Sequence, residues 1–423
     1  RWLREGEHRA ATTAGRRLFD ARDIYRPIQS TLAPSIHTIS VCPLGGPRAG
    51  DELDCRSIAI AGPPAREFYV SNDHIYLWLS HGYDHYGGQA ERCATRTPGS
   101  FASAGAAALF QISLADGRPK AMFVRGSPYD QLGMEAAGDA FRALAVWTDT
   151  RCADSPDDLP LRFFSTPLSE FSTTPLPAPE AQFTPLPSAG GRGLENRFTA
   201  THLVYGARER WSSYPPSGAQ ELSGRVVAVP SDNPGAASVL DTPHNIIRVE
   251  SIGVKAVLTG YRREGALSVS VLDLRRAPRL ADTIELEGRY ESEGRSHAFN
   301  ASVDADGAGL MGLPTVQLRR RSGRWWWNSQ SSDVSFMSLD ADGRIAALGE
   351  LTSDPKAQHP SYACEVSCID WYGNSRPIFV NGRIFALSGT ELIEGKVEHG
   401  RIGERGRVNL TAPVPGARVA GRQ

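Results

Sequence analysis

Ligand-type side chains crowd into one stretch of this 423-residue chain. His81-Gly-Tyr-Asp-His85 puts two imidazoles and the Asp84 carboxylate within one loop-sized segment, and Asp73 and His74 lie just upstream. Two histidines and a carboxylate suit Zn²⁺ or another divalent metal ion, provided the loop folds back on itself. Read blandly, the same groups are surface polar residues on a loop. The expectation is therefore no cofactor, with a divalent metal ion as the alternative.

A second cluster is Arg319-Arg-Arg-Ser-Gly-Arg-Trp-Trp-Trp327. In a strand, alternate side chains face opposite ways, so three consecutive tryptophans cannot all point into one core. Arginine beside tryptophan is the chemistry of interface hot spots and of stacking on flat ligands. Arg320, Arg324, Trp325, Trp326 and Trp327 are the candidate binding residues; a bulky hairpin with arginines laid over its rings is the competing reading. Asp304-Ala-Asp-Gly307 and Asp340-Ala-Asp-Gly343 open like calcium loops but lack the later oxygen ligands. Asp-Gly is also what a tight hairpin needs, so both are read as turns. The chain has no Gly-x-Ser-x-Gly nucleophile elbow and no Gly-rich phosphate loop, and Ser, His and Asp are scattered without local pattern. No catalytic residue is assigned.

The elements that must carry these loops are strands. Ile378 to Val397 reads as strand, Asn381-Gly382 turn and second strand, and Phe68 to Ser80 repeats the layout around Asn72-Asp73. The clearest unit is Asn245 to Glu287, with strands at Asn245–Ser251, Val254–Tyr261, Leu267–Leu274 and Asp282–Leu286. Four short antiparallel strands in such a span have the size of a propeller blade, and another unit covers Ala298 to Leu351. The fold expected is all-β, a propeller of about six to eight four-stranded blades with long loop insertions. Strands from opposite chain ends are expected to close it. Residues 34–412 form the propeller, preceded by an extension over 1–33, where Glu5 to Phe19 could coil into a helix. A flexible tail over 413–423 follows. Thr166 to Gly193, rich in Pro, Ser, Thr and Gly, is expected to be a surface excursion punctuated by Phe171, Leu176, Phe183 and Leu186.

Composition narrows the function classes. Lys+Arg 46 against Asp+Glu 47 leaves no basic field for nucleic acid or anionic lipid. No apolar run is long enough to span a membrane. The six cysteines, Cys42, Cys55, Cys93, Cys152, Cys364 and Cys368, permit a full disulfide framework. Cys42 with Cys55 flanks one hairpin-sized loop and is the favoured pair; Cys364 with Cys368, and Cys93 with Cys152, complete the set. A four-cysteine zinc site needs two close pairs, and only Cys364-Glu-Val-Ser-Cys368 has such spacing. Oxidised cysteines point to a secreted, periplasmic or cell-surface location. The Asn300 and Asn409 sequons would matter only in a eukaryotic secretory host. The start at Arg1 suggests that an N-terminal part, including any export signal, is not in this numbering.

Several segments together resemble a bacterial and archaeal family of secreted proteins with a C-terminal β-propeller domain, distantly related to WD-type propellers. Glu67 to Leu77 is similar to its Tyr-rich hairpin. Gly126 to Glu135, followed by Phe141-Arg-Ala-Leu-Ala-Val146, is similar to its passage around an Asn-Gln-Phe-Ser motif, although Gln131-Leu-Gly stands here instead. Asn196 to Tyr205, and Ser296 to Pro314, resemble two further strand pairs. The likeness covers most of residues 35–400; the triple tryptophan is foreign to it. It implies export and a propeller, commonly with more chain ahead of the first blade, and implies no reaction. The reading that follows leans away from an enzyme: an interaction or scaffold module in an envelope or extracellular assembly, partnered by other such proteins or by glycans. The alternative is a hydrolase or carbohydrate-active or carbohydrate-binding propeller with its site at the central channel.

Overall fold

The computed structural model describes residues 18–26, 34–43, 55–80, 106–146, 159–190, 193–208, 221–263, 265–292, 294, 296–317, 333–353, 375–388 and 391–410. These residues form seven sheets. Sheet I contains Ile24–Tyr25, Ser35–Val41 and Arg56–Gly62; sheet II contains Ala65–Val70, His74–Ser80, Ala106–Ser113 and Pro119–Arg125. Sheet III contains Ser127–Pro128, Met134–Ala137, Ala140–Val146, Leu161–Pro167 and Phe183–Pro185. Sheet IV contains Gly193–Phe198, His202–Arg208, Gly224–Pro230 and Ser238–Thr242; sheet V contains Arg248–Ile252, Lys255–Arg263, Ala266–Asp273 and Arg279–Glu287. Sheet VI contains Arg289–Glu291, Asn300–Val303, Gly309–Gln317, Asp333–Leu339 and Ile345–Thr352; sheet VII contains Arg376–Val380, Arg383–Ser388, Glu391–Glu398 and Arg401–Asn409. A four-stranded antiparallel meander recurring along the chain is the blade of a β-propeller, and the fold is that multi-blade, all-β architecture.

Two compact units divide the chain. One comprises Arg1–Ala153 and Arg162–Phe183, which hold sheets I and II and most of III; the other comprises Asp154–Leu161 and Thr184–Gln423, with sheets IV to VII. Among the described residues each sheet draws its strands from one continuous stretch, so the expected pairing of strands from opposite chain ends is not seen there. Sheet I departs from the meander, because Ile24–Tyr25 pairs in parallel with Arg56–Gly62. Cys42 and Cys55 are joined by a disulfide, next to the Val41–Arg56 pair that ends the ladder between Ser35–Val41 and Arg56–Gly62. The other four cysteines, the tail over 413–423 and residues 5–17 of the possible helix lie outside the described residues, and Leu18 and Phe19 are not helical.

Strand periodicity explains the packing. Along Lys255–Arg263, Ala256 and Leu258 enter an apolar cluster with Val204 and Val226 of sheet IV. Val257 and Tyr261 enter another with Met311, Leu313 and Met337 of sheet VI. Both faces are covered, so Ala256-Val-Leu258 runs apolar without alternation. Each fully buried Val or Leu contributes roughly 1.5–3 kcal/mol relative to leaving it exposed.

Turn chemistry follows the sequence with two amendments. Asn381 and Gly382 both take positive φ (50° and 71°), as a two-residue hairpin turn requires. His399 and Gly400 do the same (49° and 74°), a turn the Asn-Gly pattern does not flag. Asn72 and Asp73 keep negative φ; their hairpin is held by Ser71, whose Oγ accepts the His74 N–H at 3.0 Å. The stretch 383–397, expected as one strand, is two, Arg383–Ser388 and Glu391–Glu398.

Between Phe171 and Phe183 the excursion expected over 166–193 runs over the surface, anchored by two of the residues that punctuate it. Phe171 and Phe183 are core residues, 3% and 5% exposed, in one cluster with Tyr76, Trp78, Phe141 and Phe164. Between them the chain lies along the outer strand of sheet II, with Ser172 paired to Ala121 and Pro177 to Phe123. Composition marked a loop; burial of two phenylalanines makes it a strap.

Candidate functional site

Charged side chains converge on the first strands of sheets IV, V and VI. Arg197 Nη2 donates to Glu250 Oε2 at 2.5 Å, and Arg248 Nη1 donates to Glu250 Oε1 at 2.9 Å. Arg248 Nε donates to Glu291 Oε1 at 2.6 Å, and its Nη2 reaches the same oxygen. The side chains of Arg248, Glu250 and Glu291 are 5%, 8% and 7% exposed. Period two puts Arg248 and Glu250 on one side of their strand, and Arg289 and Glu291 on one side of theirs. Arg289 pairs with Asp333 and, at 3.3 Å, with Glu350. Burial would lower the pKa of Arg248, but Glu291 and Glu250 outweigh it and hold the guanidinium above its ordinary value. Each carboxylate of this ladder is bound by at least one guanidinium. Paired charges with few exposed atoms brace the strands that carry them.

A second buried polar unit joins sheets IV and V. His244 is fully buried; its Nδ1 lies 2.6 Å from Asn245 O, and its Nε2 lies 2.7 Å from Ser270 Oγ. A carbonyl can only accept, which puts the proton on Nδ1 and makes Nε2 the acceptor of the Ser270 hydroxyl. Ser270 Oγ lies 2.7 Å from Thr283 Oγ1. Asn245 Oδ1 accepts the Tyr261 N–H at 2.7 Å, so its amide side chain continues the ladder. Gly260 is required here: a Cβ on it would fall 1.6 Å from Asn245 O. The imidazole stands beside a serine, but both are fully buried, so no substrate reaches the pair.

The two Asp-Ala-Asp-Gly segments are turns, as expected. Asp304 Oδ1 accepts from the amides of Asp306 (3.0 Å) and Ala308 (2.9 Å), and Asp340 Oδ1 accepts from Arg344 at 2.8 Å. Gly307 and Gly343 take positive φ. The buried Lys255 Nζ donates to Asp306 O at 2.6 Å, so an ammonium already stands beside the first turn. Burial and then Arg275 lower its pKa, against Asp273, Asp340 and Asp304.

Of the candidate metal residues, Asp73 and His74 sit in the first hairpin of sheet II. Among the described residues no group of three or more His, Cys, Asp or Glu is placed to hold a metal ion. His81, Asp84 and His85 lie outside the described residues, as do Arg320, Arg324, Trp325, Trp326 and Trp327. Their flanking strands show where each loop leaves: 81–105 joins the second and third strands of sheet II, and 318–332 joins Gly309–Gln317 to Asp333–Leu339. The ion ladder was missed because its partners are far apart in sequence. Its signal was the repeated Arg-x-Glu on adjacent first strands, Arg248-Val-Glu250 and Arg289-Tyr-Glu291.

No family model matches the chain, and no curated protein does. Solved structures similar to it include polysaccharide lyase Uly1, at 10% identity and TM-score 0.35, over 82% of this chain and 81% of that one. A prolyl endopeptidase aligns at 14% identity and TM-score 0.34, over 76% of this chain and 36% of that one. Hsv2 of Kluyveromyces lactis aligns at 8% identity and TM-score 0.29, over 73% and 96%. Two of these names are enzymes of unrelated chemistry, and no reaction is carried from them to this chain.

Proposed function

We propose that this chain is a non-catalytic β-propeller of the secreted or cell-surface kind, acting as an interaction or scaffold module in an envelope or extracellular assembly. One observation carries the reading: the two ends of the sheets are unequal. In sheets IV, V and VII first-to-second or third-to-fourth connections are short turns, such as 199–201, 253–254, 381–382 and 399–400, and the short turns 304–308 and 340–344 of sheet VI share one end of that sheet. The long connections 81–105, 147–160, 209–223 and 318–332 each leave the opposite end of their own sheet. Sheets II, III, IV and VI each carry one of these long insertions, and a rigid frame bearing long loops is the layout of a binding scaffold, where loops vary and the body does not. Arg320, Arg324 and Trp325 to Trp327 belong to one such loop and are the proposed contact residues for an extracellular protein or glycan. The Cys42–Cys55 disulfide supports an oxidising compartment. Among the described residues no helix is long and apolar enough to cross a membrane.

Native mass spectrometry of the protein isolated gently from its source tests this. A stoichiometric polypeptide or glycan that is lost when Trp325, Trp326 and Trp327 are all replaced by Ala is the expected result. A lone chain that turns over a polysaccharide or ester would sink the proposal. That second reading, a hydrolase or carbohydrate-active propeller, has one observation in its favour. Glu67, half-buried on the first strand of sheet II, has its pKa raised by burial and then by Asp130, against Arg66. A carboxyl tuned upward is what a general acid needs. If turnover is found, Glu67→Gln should abolish it; unchanged turnover would remove Glu67 from consideration.

A further inference from the structure

The strap between Phe171 and Phe183 does more than its core anchors require. Phe171 packs edge-on against Tyr76 and Phe141, at ring distances of 5.9 and 6.5 Å, and Phe183 packs on Phe164 at 4.6 Å. Between these anchors the backbone is pinned to the outer strand of sheet II. Ala121 N–H donates to Ser172 O at 2.9 Å, Phe123 N–H to Leu176 O at 3.0 Å, and Ala178 N–H to Phe123 O at 2.8 Å. Those bonds shield an edge strand, which is reason enough for a strap.

They do not account for its side chains. The pinned segment reads Thr174-Pro-Leu-Pro-Ala-Pro179, and Pro179 has φ −58° and ψ 144°, the polyproline II region. Prolines fix φ and remove donors, so the segment loses little freedom on binding. Leu176 is 68% exposed, and no large apolar side chain among the described residues is more exposed. A serine at 176 would accept the Phe123 N–H through the same backbone oxygen, so edge protection does not ask for leucine. Pro177 and Pro179 are exposed as well, and the exposed Glu170 and Glu180 flank the segment.

We propose that Thr174 to Pro179 is a preformed polyproline-type docking ligand, taken by a partner protein whose groove is lined by aromatic side chains and rimmed by basic ones. Flat aromatic rings accept a proline-leucine ridge without needing its backbone donors, and an already rigid ligand binds at low entropic cost. The basic rim follows from the two flanking glutamates. The docking ligand consists of strap residues alone, so the inference stands whether or not the long loops bind.

The test uses the full chain as bait against a displayed library of small domains whose grooves carry Trp and Tyr, with randomised rim loops. The expected outcome is enrichment of clones with basic rims that are competed by a free peptide spanning Ser172 to Gln182. Those clones should bind the Leu176→Asp chain about ten-fold or more weakly, as loss of an anchor side chain gives. Leu410→Asp, at another exposed leucine (62%), should leave binding unchanged. An unaltered far-UV spectrum and melting point would show that Leu176→Asp still folds, and Pro177→Ala provides a second, milder variant. No enrichment, or clones indifferent to both the peptide and Leu176→Asp, would overturn the inference.

Discussion

Acid should weaken this protein through His244. Burial pushes its pKa down from 6.5 to about 4, only partly opposed by the bond to Asn245 O. The neutral ring fits its site because Nε2 accepts from Ser270; a protonated ring would have to donate there while carrying a buried charge. The folded value lies below the unfolded one, so the unfolded chain takes up the proton first as pH falls. The contribution is complete above about pH 6.5 and is lost progressively down to about pH 4. At about 1.4 kcal/mol per pH unit, the gap between 6.5 and about 4 is worth roughly 3 kcal/mol. Native-state hydrogen exchange of the Lys255–Arg263 amides is the suitable assay, because a chain of repeated sheets need not unfold in one step. His244→Gln removes the titration while every other group continues to titrate. The opening free energy of the natural chain should fall by about 3 kcal/mol more than the variant's between pH 7 and pH 4. Parallel pH profiles, or an imidazole NMR titration of His244 near pH 6.5, would refute the reasoning.

Three further outcomes are expected. Arg248→Met should cost about 3–5 kcal/mol in denaturant unfolding, since Glu250 and Glu291 are left buried with one guanidinium fewer; replacing all three by apolar residues should recover much of that loss. Gly260→Ala should prevent the native packing of sheet V, seen as lost near-UV signal or insolubility, whereas Gly382→Ala at an open hairpin turn should cost only about 1 kcal/mol in melting experiments. Replacing Cys42 and Cys55 together by Ser should lower stability by roughly 3 kcal/mol, the loop entropy of a link 13 residues apart, measured as a lower melting temperature without reductant.

What was legible in the residues is what local rules control. Asn381-Gly382 announces its turn because few other pairs take positive φ twice, and Asn245 to Glu287 announces four strands through apolar runs separated by Gly and polar turns. The Cys42–Cys55 pairing was legible because both residues bracket one hairpin. The ion ladder and the His244 unit were not, since charge on a strand ordinarily signals a solvated face. Here Arg197 and Glu250 meet across 53 residues, and Arg248 and Glu291 across 43. For the strap, composition showed a surface excursion and its punctuating phenylalanines, but not the pairing of Ser172 and Pro177 with the outer strand of sheet II, which no local rule dictates. The short parallel strand Ile24–Tyr25 has no periodicity to read at all.

The same physics narrows where recognition can occur. All of Ala266–Asp273 is buried, as are the first seven residues of Lys255–Arg263, so sheet V offers a ligand no face on its middle strands. Sheet edges are defended too. On sheet VII, Arg383 and Arg405 share Glu394, and Arg407 ties Glu391, Glu404 and the Thr352 carbonyl into the last strand. Charge spread along an edge discourages strand addition. At the short-turn end of sheet VI, Asp304 and Asp340 spend their Oδ1 atoms on their own backbones, and Lys255 fills the space beside Asp306. Among the described residues, these charged groups of sheets V to VII are engaged with one another or with backbone groups. Under the proposed reading, discrimination falls to the long connections of sheets II, III, IV and VI and to the proline ridge around Leu176. For that reason, substitutions in those two places should change what is bound while leaving the melting temperature alone.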